Sequence, residues 1–118
     1  VGFRDTTYGM DRFVPWCRAI YAATDSGKEG HHGLVTDLLD VSKYDIVLTC
    51  GPMVMMRGVA KLCAAAGVPC LASLEKKMAG GLGACLGCTC HTKIGPVTVC
   101  KDGPVFRCDE IDELPNEY

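Results

Sequence analysis

The stretch from Met78 to Pro104, MAGGLGACLGCTCHTKIGPVTVCKDGP, constrains this chain more than any other. Here glycine and cysteine replace the periodic apolar residues that build helices and strands, so the segment reads as a loop plus a hairpin. Four of the nine cysteines lie in it: Cys85, Cys88, Cys90 and Cys100. Cys85 and Cys88 form a C-x2-C pair in a glycine-rich loop, and Cys100 returns after a short β-like run, Val97-Thr98-Val99. The neighbouring glycines Gly80, Gly81, Gly83 and Gly87 let the backbone wrap closely around a buried object. They also leave N–H groups free to face negatively charged sulfur.

Two thiolates on a loop and a third brought back by a hairpin is how proteins gather sulfur around a metal. Plant-type iron–sulfur spacing is C-x4-C-x2-C with a distant fourth cysteine. This chain has x4-C-x2-C-x11-C, with Gly80 where the first ligand is expected. Three outcomes stay open on the residues alone. The thiolates of Cys85, Cys88 and Cys100 hold a cluster with a substitute fourth ligand, or with Cys90 or His91 they hold a tetrahedral Zn2+. Otherwise they remain free or oxidise, as C-x2-C pairs do.

A chain of 118 residues with 48% hydrophobic content suffices for one domain and a small appendage. A net charge of −2 gives no electrostatic reason to expect nucleic acid or an anionic membrane. No apolar run approaches the roughly 20 residues of a membrane span. Absence of an initial Met suggests a fragment of a longer subunit. An odd number of cysteines argues against a fully paired disulfide framework. Cys50, Cys63 and Cys70 sit in apolar surroundings and read as core thiols, which fits a reducing cytoplasm. Cys17 and Cys108 carry no signal.

Taken in order, Val1 to Phe3 resembles a strand end, and Trp16 to Thr24 is the next strand candidate, closed by the turn Thr24-Asp25-Ser26-Gly27. His31 and His32 fall in a polar, solvated loop, and Leu34 to Val41 has helical spacing. Tyr44 to Cys50 is a continuous apolar run, read as a strand buried on both faces. Gly51-Pro52 turns the chain into a helix from Met53 to Ala66, which Gly67 ends. Val68 to Leu74 is the third strand. Strands alternating with helices predict a parallel sheet with helices on its faces, with ligands beyond the carboxyl ends of the strands. Thr24-Asp25 and Cys50-Gly51-Pro52 lie at such ends. Lys76 and Lys77 read as a solvated strand end, and the acidic tail offers Ile111 and Leu114 as docking points.

These motifs together resemble a known family. CGPMVMM, VPCLASLEKKMAGGLGACLGCTC and VCKDGPVF, with YAATDSG and GHHGLVTDLL before them, look like the C-terminal half of the electron-transfer subunit of NAD-dependent dihydroorotate dehydrogenase. That subunit is a ferredoxin–NADP reductase-like flavoprotein. The resemblance runs from Val1 to about Ile111.

It implies an α/β fold: a partial doubly wound parallel sheet at residues 1–75, the nicotinamide-binding lobe, then a cysteine-rich iron–sulfur hairpin domain at 76–118. Cys85, Cys88 and Cys100 match three ligands of a 2Fe-2S cluster, whereas the family carries its leading cysteine where this chain has Gly80. Cys50, Gly51 and Pro52 match the nicotinamide-side motif, and Thr24 and Asp25 match the turn used for the dinucleotide. FAD would be held by a separate barrel absent from this chain. The implied partners are that flavin-binding domain and the catalytic dihydroorotate dehydrogenase subunit. No nucleic acid, no membrane and a cytoplasmic location are expected, and so is no catalysis by the isolated chain. Two other readings share some of these features. One is the small subunit of a ferredoxin-dependent NADP oxidoreductase, sulfide dehydrogenase or hydrogenase; the other is a zinc-stapled, non-catalytic interaction module.

Overall fold

The computed structural model describes residues 1–111, and these group into two units that divide between Asp40 and Val41. The first unit holds three two-residue strands, β1 (Gly2–Phe3), β2 (Ala23–Thr24) and β3 (His31–His32). They pair in parallel in the order β1-β2-β3, with Gly2 opposite Ala23 and Ala23 opposite His31. The strand expected over Trp16 to Thr24 is therefore confined to its last two residues. The preceding segment buries nothing that would hold it in a sheet: Trp16 is 86% exposed. Instead it turns on itself, the N–H groups of Trp16 and Cys17 both donating to Phe13. His31 and His32 are exposed as expected, yet they extend the sheet rather than a loop. The helix expected over Leu34 to Val41 is a 3-10 turn at Val35–Leu38, where Asp37 accepts the Leu34 N–H at 3.0 Å.

In the second unit, β4 (Val47–Cys50), helix α1 (Met53–Ala66) and β5 (Cys70–Ser73) form a β-α-β unit, and Val47 pairs with Cys70 in parallel register. Helix α1 has the expected bounds. Its buried face is Met53, Met56, Val59 and Cys63, spaced three or four residues apart, and Gly67 ends it in the left-handed region at φ 70°. Strand β4 is not buried on both faces as expected. Val47 and Thr49 point inward while Leu48 is 71% exposed and Cys50 is also exposed. One face of the strand packs under α1, and the other carries the apolar side chains that made the run look continuous.

After β5 come the hairpin β6 (Thr89–Thr92) and β7 (Gly95–Thr98), the single turn α2 (Val99–Asp102) and the strand β8 (Val105–Arg107). The hairpin turns through Lys93 and Ile94, with Thr92 opposite Gly95. Strand β8 pairs antiparallel with β5, giving a mixed sheet in the order β4-β5-β8. The division expected at 75/76 thus runs through one packed unit. Its core joins Met53 and Met56 of α1 to Ala72, Leu74, Cys88, Cys90, Val99, Phe106 and Ile111. Ile111 docks as expected, while Leu114 lies outside the described residues.

Candidate iron–sulfur loop and nicotinamide-side turn

The cysteine loop leaves the sheet directly after β5, where the Leu74 N–H donates to Pro104 at 2.9 Å. Gly81 and Gly83 turn the backbone at φ 73° and 84°, and Leu86 follows at φ 59° between the two paired cysteines. A leucine there costs roughly 1–2 kcal/mol. The turn is held from behind: the Leu86 carbonyl accepts the Thr89 N–H at 3.2 Å and the Thr89 hydroxyl at 2.6 Å. These two bonds fix how Cys85 and Cys88 are presented.

The three candidate thiols occupy different surroundings. Cys85 is exposed, and the N–H groups of Gly87 and then Gly80 and Ala79 hold its thiol below the ordinary cysteine range. Cys88 is almost wholly buried, and the Cys100 N–H donates to its Sγ at 3.4 Å, which lowers its pKa. Cys100 sits on α2 and is pushed the other way, first by its hydrogen bond to Cys88 and then by burial. The α2 turn is tied down by Asp102, whose carboxylate accepts the Thr98 N–H at 2.7 Å and the Thr98 hydroxyl at 3.1 Å. Backbone donors reach all three sulfurs, that of Gly83 reaching Cys100, and favour thiolate, the form that binds metal.

The donor set fits an iron–sulfur group at Cys85, Cys88 and Cys100. At Gly80 there is no donor atom, although a Cβ built there would lie 3.5 Å from Cys85 Sγ, in ordinary contact. A cysteine at this position would therefore face the same loop interior. Cys90 does not substitute. It is 2% exposed, packs into the core and has its thiol pushed up by burial. His91 alternates to the exposed side of β6. Among the described residues no three His, Cys, Asp or Glu side chains converge on a single point.

Cys50, Gly51 and Pro52, expected on the nicotinamide side, lie at the carboxyl end of β4. Cys50 is exposed and pairs with Ser73, the last residue before the cysteine loop departs. Gly51 has φ 147°, and a Cβ there would lie 2.8 Å from Met55 Cε. Pro52 precedes the helix rather than entering it, and its carbonyl accepts the Met56 N–H. No side chain caps α1, so its positive end faces this strand end. In the first unit, Thr24 is fully buried, donating its hydroxyl to Glu29 O at 2.7 Å and accepting the Gly27 N–H at 3.1 Å. Its side chain builds the turn, while Asp25 is exposed.

Sequence reasoning missed three features: the clamp by Asp102, the return of β8 to β5, and a thiol cluster at Cys63, Cys70 and Cys108. Thr98 and Asp102 stand four residues apart, not at the three-residue capping-box spacing, so the clamp carried no recognisable local signal. Cys63 and Cys70 were read correctly as buried, whereas Cys50 is exposed at its strand end.

A loop carrying Cys85 and Cys88 and a turn carrying Cys100 pack against a small α/β sheet, the setting in which the comparisons with known proteins find an iron–sulfur domain. The model of the iron–sulfur cluster binding domain of dihydroorotate dehydrogenase B matches residues 75–112. The electron transfer subunit of dihydroorotate dehydrogenase B (NAD(+)) from Clostridium perfringens is 46% identical, over 94% of this chain and 45% of its own length. Its counterpart from Clostridium acetobutylicum is 44% identical over 93% and 45%. A solved structure of the NADH-dependent reduced ferredoxin-NADP oxidoreductase, described for flavin-based electron bifurcation, matches with a TM-score of 0.79 and 28% identity. That match covers 94% of this chain and 42% of the other. Over nearly its whole length the chain is similar to the electron-transfer subunits of dihydroorotate dehydrogenase B (NAD(+)), and it spans a little under half the length of these relatives.

Proposed function

We propose that this chain forms the nicotinamide-side and iron–sulfur part of an electron-transfer subunit, passing electrons between flavin, a 2Fe-2S cluster and NAD during dihydroorotate oxidation. The partners are a flavin-binding domain outside this chain and the catalytic dihydroorotate dehydrogenase subunit, in the cytoplasm. The observation that carries the reading is the set of backbone N–H groups aimed at Cys85 and Cys88. A cluster's negative sulfurs are stabilised by such donors.

When bound, the cluster supplies one-electron transfer, and flavin and nicotinamide supply hydride exchange. Cys85, Cys88 and Cys100 hold thiolate ligands in place, and the N–H groups of Gly80 and Gly87 stabilise charge near Cys85. Cys50, Gly51 and Pro52, at the strand end beside the uncapped N-terminus of α1, would take the nicotinamide end. The likeness to the ferredoxin-NADP oxidoreductase favours a second reading, in which the same part serves a ferredoxin-linked complex.

The test is a visible spectrum with iron and labile-sulfide analysis on chain prepared without oxygen, beside a Gly80→Cys variant. Gly80→Cys is expected to bind about two irons per chain, and the parent less. Zinc uptake by both, with iron taken by neither, overturns the electron-transfer role. Dihydroorotate against reduced ferredoxin as electron donor, in the complex with its flavin domain, separates the two readings.

A further inference from the structure

At the opposite end of the second unit from Cys50, three cysteines share one cavity. Cys63 projects from α1, Cys70 opens β5 and Cys108 follows β8; the cavity encloses about 490 Å3 and is also lined by Ile46, Pro69 and Arg107. Cys108 donates its thiol hydrogen to Cys70 Sγ at 3.2 Å. The register explains the contact. Leu71 stands opposite Arg107, so one position further out Cys70 stands opposite Cys108. Residues directly opposite in an antiparallel pair have Cα atoms about 4.5–5.5 Å apart. That lies within the range of about 4.4–6.8 Å that a disulfide spans. Arg107 and Asp109, paired at 2.9 Å, flank the cavity and leave Cys108 half-buried.

We propose that Cys70 and Cys108 are a modification site: a dithiol that low-molecular-weight disulfides convert to a cross-strand disulfide. The Cys108 thiolate attacks a sulfur of the reagent, forming a mixed disulfide and releasing one thiolate. Cys70 then gives up its proton and attacks Cys108 Sγ, expelling the second. Two protein thiols are oxidised and one reagent disulfide is reduced to two thiols, the two protein protons passing to the two expelled thiolates. Cys108 attacks first because it is the more open of the two, while Cys70 is 8% exposed. Burial keeps both thiols protonated near neutrality, so exchange is slow there and quickens as pH rises. The bridge closes a covalent loop over residues 70–108, which contains Cys85, Cys88 and Cys100. It staples the sulfur loop to the sheet without using any of its thiols.

The experiment treats the full chain with oxidised glutathione, blocks remaining thiols by alkylation, digests with trypsin and maps the peptides by mass. Cleavage after Lys61, Lys76 and Arg107 puts Cys63 and Cys70 on one peptide (62–76) and Cys108 on another (108–118). The expected product is these two joined, about 2 Da lighter than their sum. It should persist in Cys63→Ser and disappear in Cys108→Ser, and oxidation should raise the urea midpoint of the parent and of Cys63→Ser but not of Cys108→Ser. Bridging within 62–76, between Cys63 and Cys70, overturns the proposal. So does finding both peptides reduced at a glutathione ratio that oxidises Cys85 and Cys88.

Discussion

The Cys100 N–H donates to Cys88 Sγ across 3.4 Å, and this contact sets the two thiols apart. Cys88 is held low by that donor, whereas Cys100 is held high mainly by sharing a hydrogen with Cys88. Without metal the two titrate as a pair, with Cys88 the residue that carries the charge. Replacing Cys88 by alanine removes the largest cause of the Cys100 shift. Alkylation of Cys100 near neutral pH is then expected to quicken, by roughly three- to fourfold for each pKa unit recovered, the gain in thiolate being partly offset by its lower nucleophilicity. Rates read peptide by peptide against pH check this; an unchanged Cys100 profile would show that the contact does not govern it.

A second expectation concerns the whole set of thiols. Cys85 is exposed with a lowered pKa, while burial pushes Cys63 up to about 11 and Cys70 up to about 12. At neutral pH Cys70 therefore carries about a thousandfold less thiolate than an ordinary cysteine. In metal-free chain, iodoacetamide should label Cys85 well before either buried thiol. Metal bound at the loop should reverse the order for Cys85 by protecting it.

Asp102 gives the loop a dependence on acid. Its carboxyl pKa is lowered, chiefly by the Thr98 N–H and then by the Thr98 hydroxyl. A carboxylate with a lowered folded-state pKa stabilises above its unfolded value, and that stabilisation fades as pH falls through the folded one. Asp102→Ala is thus expected to speed hydrogen exchange in the α2 turn at neutral pH, and the difference from the parent should vanish in strong acid. Exchange of the Thr98 and Cys100 amides reports it directly.

What was legible followed from how local the signal was. Helix α1 carries its own punctuation, Pro52 before it and Gly67 after it, with Met56, Val59 and Cys63 at helical spacing. The C-x2-C pair is likewise local. The strand guessed from Trp16 failed because apolar content alone does not supply a neighbour, and Trp16 finds none in its unit. Strand β8 was hidden because three residues have too short a period to read, and its pairing with β5 joins residues more than thirty apart. The Cys70–Cys108 contact depends on that pairing, so no inspection of either cysteine's neighbours would have found it.

Gly67 offers a clean local test. It sits at φ 70° with open space around the position of a Cβ, so alanine there meets no atom and only the backbone conformation resists it. The expected cost is about 1 kcal/mol, read as a shift in the urea midpoint with unchanged slope. A much larger loss would mean that the turn into β5 also depends on contacts at Gly67.

Met56 tests whether the sheet and the sulfur loop fold as one body. It is fully buried, and its cluster includes Cys88, Cys90 and Val99 from the loop region as well as Ala72 and Leu74 of the β5 segment. Met56→Ala should cost roughly 2–5 kcal/mol, the range for emptying such a core position. Because Met56 shares its core cluster with Cys88, the loss should also reach the sulfur loop. Iron retained by a Gly80→Cys, Met56→Ala double variant is expected to fall below that of Gly80→Cys alone, with exchange accelerating together at the Ala72 and Cys88 amides. If Ala72 loosens while Cys88 does not, the two parts unfold separately, and the boundary at 75/76 marks a real cooperative division.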